Sequence, residues 1–179
     1  MSDSLKGKRV ALLVTDGFEQ AELTGPKRAL EQAGAETEIL SAKPGRVTGW
    51  HHTTPGDSFA VDQTFDSAHI EDYDAIVLPG GVVNADSIRM DEMAQELVKD
   101  AARANKPIAV ICHGAWILAS IDLVKGKTIT SWPSLRDDLR NAGANWVDQE
   151  VVVDGRLISS RKPDDIPAFN QKLIEALAA

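Results

Sequence analysis

The stretch Ile108-Ala-Val-Ile-Cys-His-Gly114, preceded by Pro107, decides how the chain folds. Ile108 to Cys112 is a short unbroken apolar run, the mark of a strand buried on both faces of a parallel sheet. It stops at His113-Gly114, and a helical segment from about Gly114 to Ser120 follows at once. Such a sharp strand-to-helix turn lifts the residue at its apex clear of the sheet. Outward from this point the same strand type recurs at Val10-Ala-Leu-Leu-Val14 and Ala75-Ile-Val-Leu78, with a further strand at Glu38 to Ala42. After the first strand come a turn at Asp16-Gly17 and a helix through Leu30, with Pro26 in its first turn and Gly34 as its stop. Asp91 to Ala104 carries apolar residues at Met93, Ala94, Leu97, Val98 and Ala101, a helical spacing.

The last third adds a short strand near Thr128 to Ser131. Ser134 with Asp137 resembles a capping box, opening a helix that ends before Gly143. Val151-Val-Val153, Asp154-Gly155 and Leu157-Ile-Ser159 predict a hairpin, because Asp-Gly supplies the positive φ of a tight turn. A final helix covers about Ile166 to Leu177. Buried strands alternating with helices define an α/β fold: a mostly parallel sheet with helices on both faces and a small β-hairpin. Arg46 to Phe65, rich in Gly, Thr, His and Asp, reads as an irregular insertion. With 179 residues, one domain spanning 1–179 is expected.

Composition narrows the function classes. Hydrophobic residues make up 43% and charged residues 26%, a globular mix. Nineteen Lys and Arg stand against 27 Asp and Glu, a net charge of −8 that opposes binding to nucleic acid or anionic membrane. The start Met1 to Lys8 has no apolar signal-peptide core, and no apolar run approaches the roughly 18 residues of a membrane span, so a cytoplasmic protein is expected. Cys112 is the one cysteine, which excludes an intrachain disulfide and a multi-cysteine metal site.

In open α/β sheets, ligands bind beyond the carboxyl ends of the strands. Three such ends carry chemistry: Asp16-Gly-Phe-Glu-Gln-Ala-Glu22, Pro79-Gly-Gly81 and Cys112-His113-Gly114. A cysteine facing a helix N-terminus is favoured as thiolate, and the backbone N–H groups at the turn can stabilise an oxyanion. Gly80, Gly81 and Gly114 are the candidate positions for such donors, since glycine lets backbone approach closely. Each signal has a plain structural alternative. Cys112 can be the last residue of a core strand. Glu19 suits the first turn of a helix. Gly80 and Gly81 can be only a turn.

At these residues the sequence resembles the PfpI type of intracellular protease and protein deglycase, within the class I glutamine amidotransferase-like superfamily. The resemblance rests on Asp16-Gly-Phe-Glu-Gln-Ala-Glu-Leu23, Leu78-Pro-Gly-Gly81, Ala109-Val-Ile-Cys-His-Gly114, Asn141-Ala-Gly-Ala-Asn-Trp-Val-Asp148, Val151-Val-Val-Asp-Gly155 and Ser159-Ser-Arg-Lys-Pro-Asp-Asp165, nearly the whole chain. It implies a flavodoxin-like sandwich, Cys112 as nucleophile, His113 as its base and Glu19 in contact with the sulfur. It also implies a homo-oligomer, a dimer or higher, in which an acidic residue after the Gly-Gly pair reaches His113 of a neighbouring subunit. Asp86 is the candidate; a loop acid or N-cap is the alternative reading. The chain has Ala115 where the family commonly has Pro, which affects helix entry rather than chemistry. No histidine follows His113, so the downstream His of a glutamine amidotransferase triad is missing.

The activity implied is cysteine-dependent hydrolysis or deglycation. Substrates would be small carbonyl compounds, peptides or glycated proteins, the role would be stress protection, and no cofactor is expected. The alternative is a weakly catalytic stress protein whose thiol senses oxidants. Metal binding by His51, His52, Asp57 and His69 lacks ligand spacing, so no metal is expected. A flavin is not expected either, because Asp16 and Glu19 after the first strand would repel its phosphate.

Overall fold

The computed structural model describes residues 3–179; Met1 and Ser2, which begin the expected leaderless start, lie outside the described residues. Strand β1 (Arg9–Leu13) leads through a two-residue strand β2 (Phe18–Glu19) into helix α1 (Gln20–Gln32) and strand β3 (Glu36–Ser41). Next come β4 (Arg46–His51), β5 (Thr54–Ala60), β6 (Gln63–Thr64) and β7 (Ala75–Leu78), then α2 (Val82–Ile88) and α3 (Glu92–Arg103). Strand β8 (Ile108–Ile111), α4 (Trp116–Ser120), β9 (Thr128–Ile129), α5 (Arg136–Asn141) and β10 (Asn145–Trp146) follow. The chain closes with β11 (Val152–Asp154), β12 (Leu157–Ser160) and α6 (Ile166–Ala178).

Seven strands form the central sheet in the order β11-β12-β8-β7-β1-β3-β6. All pair in parallel except β11, which returns on β12 through Asp154-Gly155, where Gly155 has φ +59°. Alternation along the buried strands splits the core in two, because successive side chains point to opposite faces. Val10, Leu12, Val77, Ala109 and Ile158 pack on Leu23 and Leu30 of α1 and Phe169 and Leu173 of α6. Ala11, Leu13, Ile76, Leu78 and Val110 pack against Ile88 of α2, Leu97 and Val98 of α3 and Leu118 of α4. The expected mostly parallel sheet with helices on both faces, plus a hairpin, is therefore what the chain forms. Asp91 caps α3 by accepting the Ala94 N–H at 3.0 Å.

Three local expectations fail. Arg46 to Phe65 is not irregular: β4 and β5 are an antiparallel hairpin that pairs with β2 in a separate three-stranded sheet. Only Val47 and Gly49 of β4 are buried and β5 is largely exposed, so the hairpin lacks the apolar alternation that would announce it. Helix α1 begins at Gln20, so Pro26 lies well inside it rather than in its first turn. Ser134 does not cap α5; a short 3-10 turn, Pro133–Leu135, precedes that helix, and the serine hydroxyl faces elsewhere.

Candidate active site

Cys112 follows the last residue of β8 and adopts φ +61°, a left-handed conformation that costs a non-glycine residue energy and persists only where surroundings enforce it. They do so here through Gly114. A Cβ on Gly114 would run into the Leu78 carbonyl oxygen and lie 2.9 Å from Pro79 O, so only glycine fits there. The chain thus turns within a 3-10 segment, Cys112–Ala115, before α4 begins. The Cys112 carbonyl is held by the Trp132 N–H at 3.1 Å. The sulfur is left 3.2 Å from Nδ1 of His113.

His113 is fixed on every side. Trp132 stacks on its ring with centroids 5.8 Å apart and 24° between planes, and Trp116 lies tilted at 6.5 Å. Its second nitrogen, Nε2, faces the Ser134 hydroxyl at 3.4 Å. Burial lowers the imidazole's affinity for a proton, so the neutral form is favoured. With Nε2–H donated to Ser134 Oγ, Nδ1 is the acceptor facing the thiol.

The carboxyl beside the sulfur belongs to Glu22, not to Glu19 as expected. Glu22 is fully buried in the first turn of α1, and its Oε1 accepts the Gly80 N–H at 2.9 Å. Its carboxyl lies against the Cys112 thiol, while Oε2 makes no hydrogen bond of normal geometry. Glu19 sits one helical turn earlier, at the N-cap, where it accepts the His52 N–H at 3.1 Å from the β4–β5 turn. The helix starts early enough to rotate residue 22 inward and leave residue 19 at the cavity wall. Burial, aided by Glu19, raises the Glu22 carboxyl well above the ordinary range, so it tends to hold its proton.

The thiol is also pushed up, first by burial and then by a charged Glu22, against the pull of the His113 and Gly81 N–H groups. The expectation of a thiolate favoured by a helix N-terminus is thereby corrected: α4 is five residues long and starts four positions after Cys112. Buried sulfur and carboxyl cannot both carry charge, so the pair is one coupled unit.

The glycines divide the remaining work. Gly80 gives its N–H to Glu22 and so is not a free oxyanion donor; its carbonyl accepts from Glu19 N and from Asn84 Nδ2. A Cβ on Gly80 would lie 2.6 Å from Glu22 Oε1 and 2.8 Å from Cys112 Cβ. Gly81, at φ +87°, turns its N–H to the sulfur. Asp86 is exposed on α2, and no hydrogen bond or ion pair joins it to His113 of its own chain.

Cys112, His113, Glu22 and Gly81 line a cavity of about 680 Å³ at the carboxyl ends of the strands. Its walls are Trp116, Trp132 and, from the hairpin, Trp50 and His52. Trp50, His52 and Thr53 thus bring the β4–β5 hairpin to the rim, and sequence reasoning missed Trp50, Glu22 and Ser134 as site residues. Glu22 had a usable signal, being three residues from Glu19 in the same quoted motif. No three His, Cys, Asp or Glu side chains among the described residues cluster as metal ligands.

A parallel α/β sandwich with a strained cysteine elbow and adjacent histidine at the sheet's carboxyl edge defines a flavodoxin-like protein of the thiol-elbow class. Residues 8–176 match the DJ-1/PfpI family, and the chain belongs to it. It is 40% identical to the deglycase PfpI of Pyrococcus furiosus over 169 residues, 94% of this chain and 99% of that protein. It is 41% identical to a Bacillus subtilis protein named as a candidate cysteine protease, over 95% of this chain and 98% of that one. Among solved structures it resembles DJ-1 of Schizosaccharomyces pombe, with TM-score 0.85 and 27% identity over 96% of this chain and 92% of that chain. It also resembles a two-domain protein of Anabaena variabilis with DJ-1/ThiJ/PfpI-like and ferritin-like domains, with TM-score 0.90 and 33% identity over 95% of this chain. This chain spans 48% of that protein. No helix among the described residues is long and apolar enough to cross a membrane.

Proposed function

We propose that the protein is a cysteine-dependent enzyme that attacks carbonyl or acyl carbon, in the manner of a deglycase or hydrolase. The observation that carries this is the Cys112 sulfur, 3.2 Å from His113 Nδ1 at the floor of an aromatic-walled cavity. The names of the relatives support deglycation and peptide hydrolysis as the reactions to test.

Chemistry begins when the thiol proton passes to His113. The sulfur then faces the N–H groups of Gly81 and His113. A protonated Glu22 can donate to it as well, using the oxygen that otherwise lacks a partner. The thiolate adds to the carbonyl carbon: a C–S bond forms and the C=O electron pair moves to oxygen. As the adduct collapses, His113 returns its proton to the departing amine, and water then cleaves the remaining thioester. Glu22 holds the sulfur's charge in check rather than acting as base. Gly114 contributes the turn. Asp86 of a second subunit would orient His113 from outside, with the protein acting as a dimer or higher oligomer. The setting we assign is cytoplasmic, and the role is protection against reactive carbonyls.

Glycated peptides bearing modified Cys, Lys or Arg, free methylglyoxal and a chromogenic amide should be offered in parallel, with intact mass recorded. Turnover of at least one class with a transient Cys112 adduct is expected. The close Glu22 carboxyl also favours a second reading, a redox-sensing thiol, since it can hydrogen-bond an oxidised sulfur. A Cys112 that only accumulates oxygen mass under peroxide and turns over no substrate class would overturn the enzymatic reading.

A further inference from the structure

A second cavity, of about 400 Å³, lies at the opposite end of the sheet from Cys112, where β8 and β12 begin. Its volume is within the roughly 300–1,000 Å³ typical of small-molecule sites. Ile108, Leu118 and Leu157, all buried residues of the core, form an apolar floor. Lys106, Lys127 and Arg156 stand at its wall, and no Asp or Glu lines it. In a protein of net charge −8 that segregation is unexpected by chance.

The three cations are not spent on acids. Lys106 donates to the carbonyls of Ile70 and Tyr73 at 2.7 and 2.6 Å, and Arg156 gives only Nε, to Asn105 O at 3.2 Å. Neither Lys127 nor Arg156 makes an ion pair among the described residues. An apolar floor beneath unpaired cations suits a ligand with a hydrocarbon body and one anionic end. We infer that this cavity binds an amphipathic monocarboxylate, such as a medium-chain or aryl-alkyl carboxylate, with Lys127 and Arg156 taking the carboxylate.

Decanoate, hexanoate and decanol should be titrated by calorimetry into the protein, and the same ligands added to the Cys112 turnover assay, where binding in the other cavity is told apart as inhibition. Decanoate is expected to bind at one site and on the order of a hundredfold tighter than hexanoate, since each buried methylene contributes roughly fourfold. Decanol should bind at least about tenfold more weakly than decanoate, matching the loss of a charged hydrogen bond. The double variant Lys127→Gln/Arg156→Gln changes only exposed side chains and should lose the same factor for decanoate, none for decanol, and no turnover at Cys112. Absence of saturable decanoate binding, or equal binding by the double variant, overturns the inference.

Discussion

Replacing Glu22 by Gln keeps an acceptor for the Gly80 N–H and deletes an ionisation inside the core. The wild-type carboxyl is fully buried, and its proton is held well above the unfolded value of 4.5, mainly by burial. The folded state therefore binds one more proton than the unfolded state at any pH between these two values. Its contribution to stability is complete below about pH 4.5 and is lost as pH rises toward the folded value, at about 1.4 kcal/mol per pH unit. Glu22→Gln has no such slope. Urea unfolding of both proteins at several pH values between about 5 and 8 measures this directly, because groups not coupled to Glu22 cancel in the difference. Wild type should lose stability relative to the variant as pH rises, by up to about 2.7 kcal/mol between pH 5 and pH 7. A difference that stays flat over that interval would show that Glu22 ionises as freely folded as unfolded, and would remove the protonated carboxyl from the site.

Three further outcomes follow from the same geometry. Gly80→Ala drives a methyl group against Glu22 Oε1 and Cys112 Cβ, so steady-state turnover should fall about a hundredfold, with an overpacking loss of roughly 1–3 kcal/mol in urea unfolding. Ser134→Ala removes the partner of His113 Nε2: kcat/KM should drop about tenfold and the acid limb of its pH profile should move to lower pH, while Ser134→Thr restores both. If the partner subunit completes the site, co-refolding Cys112→Ala with Asp86→Ala should recover roughly a quarter of wild-type activity from two weak proteins, and a mixture of dimers as inactive as its parents would exclude sharing.

Much of the fold was legible because apolar runs and glycines carry it. Val10–Val14, Ala75–Leu78 and Ile108–Cys112 read as strands buried on two faces, and Cys112-His113-Gly114 as a tight turn between such a strand and a helix, as the structure shows. The helix start near Glu19 was not legible. Pro26 suggests a first turn where the structure has a mid-helix position, and that late start hides the inward rotation of Glu22. The choice between Glu19 and Glu22 depends on one helical turn, which composition does not encode. Hairpin β4–β5 was hidden for a different reason: β4 buries only Val47 and Gly49 on its inner face and β5 is largely exposed, so the sequence shows no apolar alternation. Ser134 looked like a cap because caps are local, whereas its partner His113 is 21 residues away in the chain.

The central claim is that the Cys112 sulfur forms the bond to substrate. It is tested most directly by Cys112→Ala, assayed for turnover of methylglyoxal, a glycated peptide and a chromogenic amide alongside wild type, with circular dichroism and urea unfolding as controls. Turnover of whichever substrate the wild type accepts should fall by at least about a thousandfold while the fold is kept. Unchanged turnover in a normally folded Cys112→Ala protein would contradict the nucleophile assignment and the mechanism built on it.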